Sequence, residues 1–319
     1  MSYKIINPGY ACLMKYPQQF TQYTDDFAHS KTGVCFKQIS GCVSRIDLPA
    51  RDREDQPIYL RVDAYVPNDG TTAKFNFTAP YTTYSIITTI STSGITTETT
   101  YLRTVGTGAN EVCTKTYATD GLQGGSVVSL LYCFGYVGGS WTRWELSVNG
   151  GPLDQWLASF AGSSDFRPTR TTAGQEFAFD ADYVSNLIIS NEEILPGEQI
   201  VALPVSATNT GMTAGANGIY VADAVDQMIL QTPDVSNLIT AHGAASSVTG
   251  VCVVGNPAYK AGNGLTHITA VEQSGSVVSA HNTFALSDDT LASVGDYWSP
   301  SNLTLGDLAN MQFGWKMEA

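Results

Sequence analysis

Charge is the scarcest commodity in this 319-residue chain. Asp, Glu, Lys and Arg together make up only 14% of it, against about 25% in a typical soluble domain. Long runs of Glu, Lys and Ala, the usual fabric of exposed helices, are missing. No stretch approaches the ~18 apolar residues of a membrane span, so membrane insertion is not expected. The start, Met1 to Pro8, has no apolar leader segment, so no signal peptide is expected. The net charge is −13, and no basic cluster offsets it. A phosphate backbone would be repelled, which argues against a nucleic-acid partner. The densest charged run, Arg51-Asp52-Arg53-Glu54-Asp55, is mixed in sign and reads either as a solvated loop or as an ion-pairing or metal-recruiting one.

Reaction motifs are scarce too. The chain lacks the Gly-x-Ser-x-Gly of a nucleophile elbow, the P-loop, HExxH among His29, His242, His267 and His281, and the Asp-x-Asp-x-Asp-Gly calcium loop. There is no CxxC among Cys12, Cys35, Cys42, Cys113, Cys133 and Cys252, so a structural zinc site is not expected. No cofactor and no metal are assigned. The thiols are read as mostly reduced, with a Cys35–Cys42 bridge left open. Cys133 and Cys252, each inside an apolar run, read as small buried hydrophobes.

What the chain has instead is Thr, Ser, Gly and Tyr, residues that suit a pleated, half-exposed surface. Strand signals recur throughout. Ile58, Leu60, Val62, Ala64 and Val66 alternate with Tyr59, Arg61, Asp63 and Tyr65, and Pro67-Asn68-Asp69-Gly70 then makes a turn. Residues 84–104 are Thr-rich and alternating, broken at Ser93-Gly94. Residues 126–137 (SVVSLLYCFGYV) are apolar on both faces, as a central strand should be. Residues 183–190 give another strand, and the texture shifts near 191–198. That places one domain at 1–190 and a smaller β-rich domain at 191–319. In the second, 209–218 (NTGMTAGANG) reads as a Gly-rich loop, and strands at 266–273 and 276–280 are joined by a hairpin signal at Ser274-Gly275. Thr304-Leu305-Gly306-Asp307 reads as the capped start of a helix about two turns long. A final strand buries Met311, Phe313, Trp315 and Met317 on one face.

Two segments carry the candidate site residues. In "WELSVNGG", 144–151, Asn149-Gly150 supplies the positive φ angles of a two-residue hairpin turn. If Leu146 and Val148 point inward, Trp144 does too, and Trp141, Arg143 and Glu145 share the outer face. That patch, with Trp156 and Tyr136 nearby in sequence, is a candidate for sugar stacking or subunit contact. The competing reading packs Trp141 under a loop. In "EFAFDADY", Glu176, Asp180 and Asp182 share parity on one strand. Retaining glycoside hydrolases need two carboxylates about 5–5.5 Å apart, commonly built as Glu-x-Asp-x-x-Glu. The spacing here departs from that. The acids read as a solvated edge, a weak calcium or ligand site, or a catalytic pair.

"WELSVNGG" followed by "FDADYVSNLIIS" resembles the closing strands of concanavalin A-like or laminin G-like jelly rolls. The part from 191, ending in "LTLGDLANMQFGWKM", resembles the second half of phage-encoded structural proteins that close on a Leu-Asn…Phe-Gly strand; the counterparts here are Leu308, Asn310, Phe313 and Gly314. The resemblance implies an all-β fold, a jelly-roll sandwich followed by a smaller β-rich domain. It implies a non-catalytic bacteriophage virion protein, assembled in the host cytoplasm, that binds host-surface glycan or a receptor from a tail fibre. Its partners would be other virion proteins and copies of itself, with a trimer favoured. A capsid decoration or head-fibre protein is the alternative, and a polysaccharide-cleaving hydrolase the third.

Overall fold

The computed structural model describes residues 4–14, 17–39, 44–48, 56–78, 84–101, 111–117, 122–137, 140–155, 175–195, 198, 200–203, 205–214, 220–255, 264–286, 294–298, 300 and 302–319. Strands dominate these residues, and the pairings between them are antiparallel. The chain divides into two compact units, Met1–Val201 and Ala202–Ala319.

Unit 1 contains β1 (Lys4–Asn7), β2 (Phe20–Tyr23), β3 (Cys35–Gln38), β4 (Ser44–Leu48), β5 (Ile58–Tyr65), β6 (Ala73–Thr78), β7 (Tyr84–Ser91), β8 (Gly94–Tyr101), β9 (Glu111–Tyr117), β10 (Val127–Val137), β11 (Ser140–Val148), β12 (Asp154–Gln155), β13 (Gln175–Ala181) and β14 (Ser185–Ser190). Two six-stranded sheets form, in the orders β1-β14-β5-β10-β11-β12 and β4-β13-β6-β7-β8-β9. The hairpin β2–β3 stands beside them.

Alternation decides which side chains meet between the sheets. Leu60, Val62 and Ala64 of β5 pair with Tyr132, Leu130 and Val128 of β10, and all six are buried. Facing them, Phe75, Ile86, Thr88, Ile90, Ile95 and Thr97 are buried from β6, β7 and β8. Tyr132 links the two layers. Its ring lies 6.2 Å from that of Phe75, and its hydroxyl donates to Thr88 Oγ1 at 2.7 Å. Thr88 in turn lies 3.3 Å from Thr97 Oγ1. Burial pushes the Tyr132 phenol well above its ordinary pKa, so it remains a donor. The hydroxyl chain lets Thr occupy core positions without an unmet polar group.

The other face of the first sheet is covered as well. Tyr59, Leu131, Cys133 and Ile188 are buried with Ile194, which arrives from the segment after β14, and Leu153 and Ile200 pack at the margin. Ile194 and Ile200, in the stretch expected to open the second domain, therefore add a third layer to unit 1. Beyond this apolar patch lies a buried polar network. Asp63 accepts from Ser129 Oγ at 2.5 Å and from Asn186 Nδ2 at 3.0 Å. Lys31 Nζ donates to Ser129 Oγ at 2.7 Å and lies 4.0 Å from Asp63. Burial pulls the Arg61 guanidinium below its ordinary pKa, against the opposing pull of Asp63 and Glu198. Asn186 holds a positive φ of 53°, and its Oδ1 accepts from Ile200 N at 2.9 Å, which pins the covering segment.

Unit 2 contains β15 (Val205–Thr210), β16 (Thr213–Ala214), β17 (Tyr220–Val221), β18 (Met228–Pro233), α1 (Ser236–His242), β19 (Ser247–Val248), β20 (Val251–Gly255), β21 (His267–Ser274), β22 (Val277–Ala285), β23 (Val294–Trp298), β24 (Leu303–Thr304), α2 (Leu305–Leu308) and β25 (Met311–Glu318). Its main sheet runs β15-β18-β25-β21-β22. Met311, Phe313 and Trp315 of β25 are buried, as their alternation predicts, in a core with Val235, Val253, Ile268, Leu303, Leu305 and Leu308. Gly314 sits where a Cβ would collide with the Ile229 carbonyl oxygen, so the close approach of β18 and β25 requires glycine there.

Several local expectations need correction. The Thr304–Asp307 capping box forms in full, but α2 lasts a single turn, because Asn310 Nδ2 bonds back to Gly306 O and ends it. Asn209 and Thr210, read as loop, belong to β15, and Thr213–Ala214 form β16. α1 was not visible in the sequence; its Ser, Asn and Thr are weak helix formers, and Gly243, at φ 88°, closes it. The 274/275 hairpin forms, with Ser274 paired to Val277 and Gly275 at φ 59°. Cys35 and Cys133 are buried, Cys252 is half-buried, and none of the three is in a disulfide; Cys42 lies outside the described residues.

Candidate functional site

The turn in "WELSVNGG" forms as read. Asn149 and Gly150 have φ of 51° and 75°, Gly151 N closes the turn on Val148 O at 3.0 Å, and β12 returns against Glu145 and Leu146. The outer-face patch does not follow from it. Gly135 pairs with Arg143 but Val137 with Ser140, so Trp141 and Thr142 both stand opposite Tyr136. The register shift is a bulge in β11. Glu145 pairs with Cys133, whose face is covered by Ile194, so that side of the sheet is no open wall. The side chains of Trp141 and Arg143, and all of Trp156, lie outside the described residues. So do the side chains of Glu176 and Asp180 on β13. Asp182, the third acid, is exposed just beyond β13.

Asp182 leads to a different site. The loops that connect β2 to β3, β5 to β6 and β13 to β14 meet at one end of unit 1. There they enclose a cleft of about 350 Å³, within the size range of small-ligand sites. His29, Tyr65, Asn68, Asp69, Asp182 and Tyr183 line it, with Lys37 at the rim of β3. Local chemistry fixes each wall. In Pro67-Asn68-Asp69-Gly70, the Asp69 carboxylate accepts from Thr71 N at 3.0 Å and Thr71 Oγ1 at 2.6 Å, an Asx turn. These bonds hold the Asp69 carboxyl below the usual range. Gly70 takes the positive φ the turn needs, and Gly124 lets the neighbouring loop lie against Asn68.

The opposite wall is aromatic. His29 stacks on Tyr183 with centroids 4.0 Å apart and planes within 9°, and it leans on Tyr65 at 4.4 Å. Tyr23 and Tyr65 lie 5.8 and 5.9 Å from Tyr183. Lys37 Nζ stands 5.0 Å from the Tyr183 centroid. His29 is held by Asp26, whose Oδ2 lies 2.8 Å from Nδ1 and whose Oδ1 accepts from the His29 backbone N–H at 3.2 Å. Burial raises the Asp26 pKa, but the His29 bonds and charge outweigh it and leave the carboxyl below its ordinary value. Burial, with smaller contributions from Tyr23 and Asp26, pushes the Tyr183 phenol up.

The thiol beside this arrangement is not set up as a nucleophile. The nearest thiol, Cys35, is buried and donates to Asp26 Oδ2 at 3.8 Å. Burial first, then Asp26, pushes it up to about 12, whereas a nucleophilic cysteine needs its pKa lowered. Iodoacetamide at pH 8 should therefore leave Cys35 unmodified in the native chain and alkylate it after unfolding, as read by peptide mass spectrometry. Among the described residues no three His, Cys, Asp or Glu side chains converge as a metal site. None of their helices is long and apolar enough to cross a membrane. The cleft residues, Asp182 apart, were not singled out from the sequence. Three of its walls come from loops about 35 to 155 positions apart, and only the sheet order brings them together. No protein-family model matches the chain, and no curated protein matches it in sequence.

Proposed function

We propose that the chain is a non-catalytic bacteriophage virion protein, a tail-fibre or adhesin component whose first unit, a concanavalin A-like jelly roll, binds host-surface glycan in the cleft beside Tyr65 and Tyr183. The observation that carries this reading is the composition of the cleft. Tyr65 and Tyr183 line it together with Asn68, Asp69 and Asp182. Rings stack on the apolar faces of a pyranose while carboxylates and amides take its hydroxyls. Two facing six-stranded antiparallel sheets agree with a jelly roll, and the closing-strand resemblance at 144–151 and 179–190 supports it. The working form would be a homotrimer.

The test is adhesion of the purified chain to host cells and to their isolated surface polysaccharide. Tyr65→Ala should weaken it at least tenfold with an unchanged circular dichroism spectrum. Undiminished adhesion in a folded Tyr65→Ala chain counts against the cleft, and shortening of the polysaccharide by the wild type counts against a non-catalytic role.

A second reading, a capsid decoration or head-fibre protein, is favoured by β22. Its adjacent Val277 and Val278 are 65% and 40% exposed, and neighbours on a strand point to opposite faces. Apolar exposure on both faces of an edge strand suits an assembly contact. A decoration protein would bind purified empty heads and ignore cells.

A further inference from the structure

We propose that the cleft selects a ligand bearing a positive charge, a primary or quaternary ammonium displayed on a glycan, over neutral and acidic sugars. This rests on the reading of the cleft as a binding site and narrows what it takes.

Three observations point the same way. First, charge in the cleft is unbalanced. Asp69 and Asp182 line it and Asp26 stands directly behind His29, against Lys37 alone. Asp26 is paired with His29, and the two carboxylates that line the cleft against one ammonium leave an excess of negative charge there. A uronate, sialate or phosphate would meet like charge in a site walled by rings, where screening is weaker than in open water. Second, the rings are gathered as a cluster. Tyr23, Tyr65 and His29 all lie within 6 Å of Tyr183, centroid to centroid, or of a ring that touches it. Clustered ring faces present negative quadrupole potential to a cation, and cages of this kind recognise quaternary ammonium groups. Third, the chain already places an ammonium there. Lys37 Nζ stands 5.0 Å from the Tyr183 centroid, inside the ~6 Å range of a cation–π contact. Lys37 extends from a hairpin strand and is half-exposed, so a ligand ammonium can take its place while Lys37 swings into solvent. The carboxylates are fit for the role: Asp69 and Asp26 are both held ionised by hydrogen bonds, and Asp182 is exposed at the cleft mouth.

The experiment uses the full chain and a pair of probes of one shape, choline and its neutral isostere 3,3-dimethylbutan-1-ol, with glucosamine, glucose and glucuronate as a sugar series. Binding is followed by calorimetry and by NMR shifts of tyrosine ring protons at constant ionic strength and pH 7. Choline should bind at least tenfold more tightly than the isostere, and glucosamine more tightly than glucose, with glucuronate weakest. Asp182→Asn, an exposed and shape-conserving change, should weaken choline several-fold and leave the isostere unchanged. Lys37→Met, which removes the internal competitor, should tighten choline several-fold.

Equal affinity for choline and its isostere, or preference for glucuronate, overturns the charge selection. If Tyr65→Ala still abolishes cell adhesion in that case, the cleft stands as a glycan site of another class. If folded Tyr65→Ala adheres undiminished, the binding-site reading itself falls and takes this inference with it.

Discussion

β5 and β22 are strands of similar length with opposite fates. β5 alternates apolar and polar residues in the manner of a half-exposed strand, yet every residue from Ile58 to Ala64 is buried, Arg61 and Asp63 included. β22 carries Val277, Val278, Ala280 and Phe284, yet no residue of it is fully buried. The difference lies in what covers them. Strands β14 and β10 flank β5 in the first sheet's order, the second sheet packs on one face, and Ile194 and Ile200 lie over the other. β22 is the last strand of a five-stranded sheet and carries a bulge besides. His281 and Asn282 together stand opposite Ala270, and the freed Asn282 N–H donates to Asp296 Oδ2 at 2.9 Å. The lesson is that burial belongs to the layer, and the alternation of a strand fixes only which residues share a side.

That contrast can be broken by substitution, and the largest effect is expected at Asp63. Asp63→Leu strands Lys31, Ser129 and Asn186 beside an apolar side chain, and loss of one partner from a buried ionic network costs about 3–5 kcal/mol. Urea unfolding should show it as a large drop in midpoint. A change below about 1 kcal/mol would mean that water reaches the network and that β5 is not sealed. Gly314→Ala comes next. Its Cβ would collide with the Ile229 carbonyl, and overpacking of this kind costs about 1–3 kcal/mol, readable as a fall in thermal midpoint. Tyr132→Phe removes the donor to Thr88 and should cost about 1 kcal/mol; a neutral result would show that Thr88 and Thr97 satisfy each other. Val277→Lys should change stability by about 0.5 kcal/mol or less. If β22 is an assembly contact, the same variant should shift light scattering toward the monomer. A stability loss as large as that at Asp63 would show that β22 is covered after all.

Much of the framework could be read from residue order. The turns at Asn149-Gly150, Pro67–Gly70 and Gly275, the two-faced apolar run of β10, the Thr304–Asp307 capping box and the alternation of β25 all rest on local chemistry, and each is present. What local chemistry could not supply was the third layer. Ile194 and Ile200 sit in a segment whose Pro196-Gly197 reads as a linker, and only the apolar outer face of β5, β10 and β14 gives them a place. The Trp141 patch rested on unbroken alternation, which a sequence cannot guarantee: the register shifts opposite Tyr136, and the side chains of Trp141 and Arg143 lie outside the described residues. Of the candidate acids, Asp182 borders the cleft; its companions there, His29, Tyr65 and Asp69, are ordinary loop and strand-end residues until the topology gathers them.

The ion pair between Lys4 and Glu198, at 2.5 Å, carries a mechanical consequence. Lys4 pairs across the ladder with Ser190, so the start of β1 and the end of β14 lie at neighbouring points. Tension between those points peels β1 from β14 one hydrogen bond at a time, starting at the Lys4–Glu198 clasp.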